Sequence, residues 1–413
     1  MGNDEMTGAP LSLGQFERTG EEYLYDGAES LITIARPGRG KSQAHVIRNL
    51  LYLKAPAFVL DVKPEIAAAT GRWRAQNVGP IQRFIPSNPA LSVTFNPLDF
   101  VAREPVAAYR DINRLVPLLV IPSPNGRSAD FWEGRAEQIL GAALFDVTMY
   151  EPTGARDMPA VVDWFSPTPE EMAERIERLK NCGIRSMARV GIQLQTMPEK
   201  VRESIFESAR RHIEIWGSPE LEDLVSDTTM KLSGLRRANG TLYLCVTPQE
   251  LTAYASIIRT IFGLMLHTVV SETDAKDLPP VTFFLDEFPQ LGYMREIEQM
   301  LALGRAAGLR LWLFAQTIGQ IKESYRDADK ILDMMALRAF IEPTGSLAND
   351  ISKELGTTND VFFSGGGRPI ATAQELMGPA YVGKVIVLEG GRAPARLNRI
   401  FAFEDPAIMN RLS

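Results

Sequence analysis

The residues most able to do chemistry begin at Ala35–Ser42, ARPGRGKS, which closes on Gly40-Lys41-Ser42. That is the tail of the phosphate-loop pattern G-x-x-x-x-G-K-[ST]. In such a loop, backbone N–H groups wrap the β-phosphate, the lysine neutralises the β- and γ-phosphates, and the hydroxyl ligates Mg²⁺. Ala35, Arg36, Pro37, Gly38, Arg39, Gly40, Lys41 and Ser42 are therefore the candidate cofactor-binding residues, with ATP and Mg²⁺ as the cofactors. Ala35 stands where the pattern has its first glycine. As the next smallest residue it is tolerable there, with a tighter turn.

Val281–Phe288, VTFFLDEF, delivers two acids at the end of an apolar run. A parallel sheet places catalytic groups at such strand ends. Asp286 is suited to hold Mg²⁺ together with Ser42, and Glu287 to polarise an attacking water as general base. Gly304–Gln316, GRAAGLRLWLFAQ, brings Gln316 to the end of the next strand, where an amide can sense the γ-phosphate or orient water. Arg305 precedes that strand. An arginine presented across a subunit interface stabilises charge on a transferring phosphoryl group. Surface salt bridges are the plainer role for Arg305, Arg310 and Arg338, and position alone does not choose among them.

Elements of matching type surround these residues. Ser30–Ala35 is a short β-branched run, Val46, Ile47, Leu50 and Leu51 fall at helical spacing, and Ala57–Lys63 is a second apolar run. Strand, glycine-rich turn, helix and strand make one βαβ unit, which implies parallel strands. From Ala129 to Asp227 the periodicity is helical throughout. Strand-like runs resume at Thr241, Val281, Leu309, Leu337, Gly383 and Ala395. The expected fold is α/β, a mostly parallel sheet flanked by helices and carrying an inserted all-α domain. Its divisions are 1–28 (a lead-in), 29–127 (nucleotide-binding domain, first part), 128–228 (all-α insertion) and 229–413 (second part).

Composition narrows the classes. In 413 residues, 45% are hydrophobic and 23% charged, which predicts a real core and no extended disorder. Cys182 and Cys245 are too few and too far apart for a disulfide framework, and His45, His212 and His267 lack ligand spacing. The net charge of −7 argues against a broad nucleic-acid footprint and leaves a local patch or narrow channel. The basic clusters Arg72/Arg74, Arg210/Arg211, Arg236/Arg237 and Arg392/Arg396/Arg399 each read as solvated surface. Trp132, Trp164 and Trp216 read as packing residues, and Gly365–Gly367 as a connector. Ile257–Val270 is too short and too interrupted to span a bilayer, and the first ten residues lack a secretory signal. The expected location is cytoplasmic, with no membrane span.

The runs ARPGRGKS, AFVLDVKPE, TFNPLDFV, FWEGRAEQIL, TLYLCVTPQEL and TFFLDEFPQLGYMREIEQMLALGRAAGLRLWLFAQTIGQI, with the closing VLEGGRAPARLNRIFAFEDP, resemble the type IV coupling proteins. These are the VirD4/TraG/TraD ATPases of conjugation and type IV secretion, similar to RecA- and FtsK-like P-loop motors. The resemblance implies a hexameric ring with a nucleotide at each subunit interface, Arg305 acting in trans, and Gln316 as sensor. It implies that the all-α insertion receives substrate, either single- or double-stranded DNA or a relaxase–DNA complex. It also implies channel components as partners and a peripheral place at the inner face of the cell membrane. The family's N-terminal membrane helices have no counterpart in this sequence. Two alternatives stay open: an ATP-gated receptor for protein substrates, and a soluble FtsK/HerA-like hexameric DNA motor outside secretion.

Overall fold

The computed structural model describes residues 10–121, 129–272, 278–357 and 369–412, without the side chains of 129–133. The expectations for Pro122–Pro124, the Trp132 side chain and Gly365–Gly367 lie outside these described residues. Eleven strands form one sheet: β1 (Leu11–Phe16), β2 (Glu22–Tyr25), β3 (Leu31–Ala35), β4 (Ala57–Asp61), β5 (Ile81–Phe84), β6 (Thr241–Cys245), β7 (Val281–Leu285), β8 (Leu309–Ala315), β9 (Leu337–Ile341), β10 (Lys384–Glu389) and β11 (Ala395–Asn398). Their order is β2-β1-β11-β10-β9-β3-β8-β7-β4-β6-β5. From β9 to β5 every neighbouring pair is parallel. From β9 outward through β10, β11, β1 and β2 the pairs are antiparallel.

The central strands are apolar without interruption because both faces are covered, and their alternation divides two cores. Ile32, Ile34, Phe58, Leu60, Phe283, Leu285, Leu311 and Leu313 point into one. Leu31, Ala35, Ala57, Val59, Phe284, Trp312 and Phe314 point into the other. The helical run from Ser42 to Tyr52 and the helix Glu65–Asn77 cover the second face. The helices Pro105–Leu119, Ala129–Tyr150 and Ala255–Ser271 cover the first. Further helices run from Met158 to Val225 with no strand among the described residues between β5 and β6, as the periodicity predicts.

Three readings change. The segment read as a lead-in supplies β1 and β2, which bury Leu11, Leu13, Tyr23 and Tyr25 against the second core. Gly14, at φ +136°, passes so close to the Asn398 carbonyl that a Cβ would sit 2.5 Å from its oxygen. β5 also escaped notice because an edge strand of partly exposed residues, IQRF, has no apolar run. Finally, several arginines read as solvated surface are buried. Arg74 donates to the carbonyls of Leu50, Leu53 and Ala55 and to Thr241 Oγ1 at 2.7–2.8 Å. Arg236 donates to the carbonyls of Pro279 and Ala307, and Arg310 to the Gly27 carbonyl and Thr282 Oγ1. A guanidinium can enter a core where its fixed fork meets carbonyls left over at element ends. Trp164 and Trp216 are packing residues as expected, their indoles donating to Asp146 Oδ2 and Ser256 Oγ. Among the described residues no helix is long and apolar enough to cross a membrane.

Candidate functional site

Three parallel strands end side by side in the order β3, β8, β7. The loop Arg36–Lys41 leaves β3, Gln316 leaves β8, and Asp286 and Glu287 leave β7. Registers Ile34↔Ala315 and Leu285↔Leu313 bring these ends to one edge of the sheet. Residues more than two hundred positions apart thus meet through strand order alone.

The loop turns through Gly38 and Gly40, at φ +75° and +72°, a region that side chains resist. The helical run then starts at Ser42 with its N–H groups facing the loop, a ready anion site. This helix is fastened to the sheet by a buried relay. Trp312 Nε1 donates to Thr33 Oγ1 at 2.9 Å, and Thr33 Oγ1 lies 3.0 Å from His45 Nδ1. His45 Nε2 lies 3.3 Å from the Leu13 carbonyl. Burial lowers the His45 pKa to about 4, so the ring is neutral and fits as donor to Leu13 and acceptor from Thr33.

Lys41, only 7% exposed, joins both acids: its Nζ is 3.2 Å from Asp286 Oδ1 and in contact with Glu287 Oε1. Ser42 Oγ lies 3.5 Å from Asp286 Oδ2. Burial raises the Asp286 pKa, Lys41 opposes that shift and Glu287 reinforces it. Glu287 Oε2 is buried without a hydrogen-bond partner, and Asp286 Oδ1 meets only the Lys41 ammonium. A hydroxyl and carboxylates with spare lone pairs form an all-oxygen donor set, suited to a hard divalent cation. Glu287 adopts the left-handed backbone conformation, φ 52°, which is rare for a side-chain-bearing residue and common where strain serves a site.

Other expected residues are spread around this centre. Ala35 is buried at the end of β3, Arg36 and Pro37 are exposed, and Arg39 pairs with Glu342 at 2.7 Å. Gln316 is half-buried in a cleft of about 310 Å³ lined also by Arg36, Thr317, Lys322, Glu342 and Asp350. Arg305 is not brought to the centre. It precedes β8, at the opposite edge of the sheet, and pairs with Glu29 at 2.9 Å while remaining largely exposed. Arg338 likewise pairs with Glu354 at 2.9 Å.

Two neighbours of the loop, Glu342 and Arg399, and one neighbour of Asp286, Asp61, were not among the expected site residues. Glu342, at φ 48°, holds Arg39 and also accepts from Arg399 Nη1 at 2.9 Å and from the Gly383 N–H at 3.1 Å. Arg399 Nη1 donates to the Arg39 carbonyl at 2.7 Å, so the C-terminal segment is tied to the loop. Asp61, at the end of β4 beside β7, accepts from the Ala67 N–H at 2.7 Å. Burial pushes its pKa up to about 6, with Asp286 contributing. Asp61 and Glu342 each carry the signal that identified Asp286, an acid closing an apolar strand. Arg399 carried none.

The comparisons with known proteins bear on the family and the fold. A family model for type IV secretory system conjugative DNA transfer matches residues 5–413. Protein VirD4 of Rhizobium rhizogenes is 26% identical over 316 residues, which cover 75% of this chain and 46% of that protein. The conjugal transfer protein TraG of Escherichia coli is 23% identical over 318 residues, 72% of this chain and 50% of that one. The chain spans about half the length of these curated relatives. Among solved structures, the bacterial conjugative coupling protein TrwB superposes with a TM-score of 0.71 at 15% identity, covering 96% of this chain and 91% of that chain. TrwB in complex with ADP and Mg²⁺ gives a TM-score of 0.70 at 17% identity, covering 98% and 93%. These likenesses establish the fold, a mostly parallel P-loop sheet flanked by helices.

Proposed function

Since the chain belongs to the type IV secretory system conjugative DNA transfer family, we propose that it is an ATP-hydrolysing coupling protein that delivers DNA or nucleoprotein to a secretion channel. The observation that carries this reading is Lys41 joined to both Asp286 and Glu287 beside Ser42, at the edge where a P-loop strand and two neighbours end. The Mg²⁺–ADP complex of TrwB and its complex with the ATP analogue ADPNP support ATP and Mg²⁺ as the cofactors.

In this proposal the backbone of residues 36–42 cradles the phosphates, and Lys41 swings from the carboxylates to the β- and γ-phosphate oxygens. Ser42 and Asp286 would hold the cation, which would supply positive charge beside the phosphates. Glu287, released from Lys41, orients and deprotonates the attacking water. Gln316, on the strand between loop and acids, senses the γ-phosphate. Arg305 faces away from its own site and suits a neighbour's, consistent with a ring of subunits. The helical segment 128–228 then serves as the substrate-receiving domain of the nucleotide-binding parts 29–127 and 229–413. DNA or a relaxase–DNA complex would be the substrate, channel components the partners, and a peripheral place at the inner face of the cell membrane the site of action.

The alternative is an ATP-gated receptor for protein cargo, favoured by the net charge of −7. Steady-state ATP hydrolysis with and without single- and double-stranded DNA separates the two. DNA-raised turnover that falls at least about 100-fold in Lys41→Ala and Glu287→Gln supports the translocase. Turnover indifferent to DNA supports the receptor, and turnover unaffected by either substitution refutes the site.

A further inference from the structure

A phosphate loop grips phosphates; the nucleoside needs a surface of its own. The C-terminal segment places one on the loop. Gly40 has no Cβ, and one built there would lie 2.2 Å from Phe401 Cε1, so the Phe401 ring rests directly against the loop backbone. Phe403 stacks on Phe401 with centroids 5.1 Å apart and planes 26° apart. The Arg399 guanidinium sits 4.6 Å from the Phe401 centroid and holds the Arg39 carbonyl and Glu342, fixing the aromatic pair to the loop. Phe403 is 53% exposed, so part of the stacked pair stays open to solvent while Phe401 rests on the loop.

We propose that Phe403, backed by Phe401 and Arg399, is the stacking wall for the nucleobase of the bound nucleotide. The inference rests on the P-loop reading above and adds the nucleoside half of the site. The catalytic acids lie toward β7, while this segment follows β11 and packs against the loop and the start of its helix. Phosphates held at Lys41 and Ser42 therefore leave the nucleoside free to run away from the acids toward the aromatic pair. An aromatic face takes any base, because every base has a π-face, so the wall contributes affinity without choosing adenine over guanine.

Calorimetric titration of the whole chain with ATP, GTP and inorganic tripolyphosphate, each with Mg²⁺, tests this in the parent, Phe403→Ala and Phe403→Trp. Phe403→Ala should weaken ATP and GTP about tenfold or more, leave tripolyphosphate unchanged, and be rescued by Phe403→Trp. Tripolyphosphate binding in the parent with ATP affinity unchanged in Phe403→Ala would overturn the wall alone. Equal weakening of ATP and tripolyphosphate would also overturn it, since the ring would then act through the loop. A parent chain that binds neither ligand would remove the P-loop reading and the wall with it.

Discussion

Arg48 is the residue on which the attachment of the loop helix depends. It sits one and a half turns after Ser42 and is buried, yet it reaches three separate segments. Its Nη2 and Nη1 donate to Glu22 Oε1 and Oε2 at 2.6 and 3.0 Å. Its Nε donates to Asp405 Oδ2 at 2.9 Å, and Nη1 also meets Ser12 Oγ. Tyr52 adds a bond to Asp405 Oδ2 at 2.9 Å. Burial alone would raise the pKa of Glu22 and Asp405. Arg48, with Ser12 and Gln15 at Glu22 and with Tyr52 and the Ala407 N–H at Asp405, outweighs it, and both carboxyls titrate below their ordinary values.

Arg48→Met keeps the stem and deletes the charge, leaving Glu22 and Asp405 without the cation they share. Removing one partner of a buried pair costs about 3–5 kcal/mol. Glu22 keeps 29% of its side chain exposed and can rehydrate, which argues for the lower end. A chain of this size does not unfold in one step, so peptide-level hydrogen exchange is the proper assay. A local loss of about 3 kcal/mol should speed exchange in β1, β2 and residues 402–411 by roughly 100-fold. The triple variant Glu22→Gln, Arg48→Met, Asp405→Asn removes all three charges and should recover most of the protection. Unchanged exchange in Arg48→Met, or a triple variant as labile as the single, would refute this assignment.

Asp146 titrates near 6 because burial raises it, with the Trp164 bond and Arg178 opposing. A rise from 3.8 to about 6 corresponds to roughly 3 kcal/mol. The native state thus holds the proton that the unfolded chain releases first, and this group's contribution is full below about pH 4 and lost as pH rises through 6. Asp146→Asn, whose amide oxygen can still accept from Trp164, should therefore match the parent near pH 4 and be more stable by up to about 3 kcal/mol at pH 8. A difference that does not vary with pH would refute it. Separately, if Arg305 serves a neighbour's site, mixing Lys41→Ala with Arg305→Ala should restore roughly a quarter of parental turnover, since random assembly pairs an intact loop with an intact arginine that often. No recovery in assembled mixtures would place Arg305 outside the site.

The central sheet was legible because its strands are buried on both faces and so read as unbroken apolar runs. The P-loop was legible because GKS follows one such run and precedes a helix. What stayed hidden was whatever depends on strand order. β1 alternates its leucines with Ser12, Gly14 and Gln15, β2 is only four residues long, and the partner of β1 on its other side is β11, almost four hundred positions away. Arg74, Arg236 and Arg310 look like surface charges in sequence, because the carbonyls that receive them belong to other elements. Glu342, Arg399 and the Phe401–Phe403 pair gather at the loop only once β9, β10 and β11 are laid beside β3.

That same order explains how a long helical insertion is carried without disturbing the chemistry. The chain leaves the sheet after β5 and returns at β6, neighbours at the edge remote from the loop. The two connections are bonded together where they pass: Thr94 N–H to Thr229 Oγ1 at 2.9 Å and Asn96 N–H to Thr228 Oγ1 at 2.8 Å. Trp216 then packs against Phe95 and bonds Ser256 on the long helix that covers the sheet. The apolar core runs without a break from Ile32 through Phe58 and Phe262 to Trp164 and Phe206. Closely packed side chains transmit displacement rather than absorb it. With no gap in that packing, a displacement at the ends of β3, β7 and β8 would be passed on to the far helices and not absorbed between the layers.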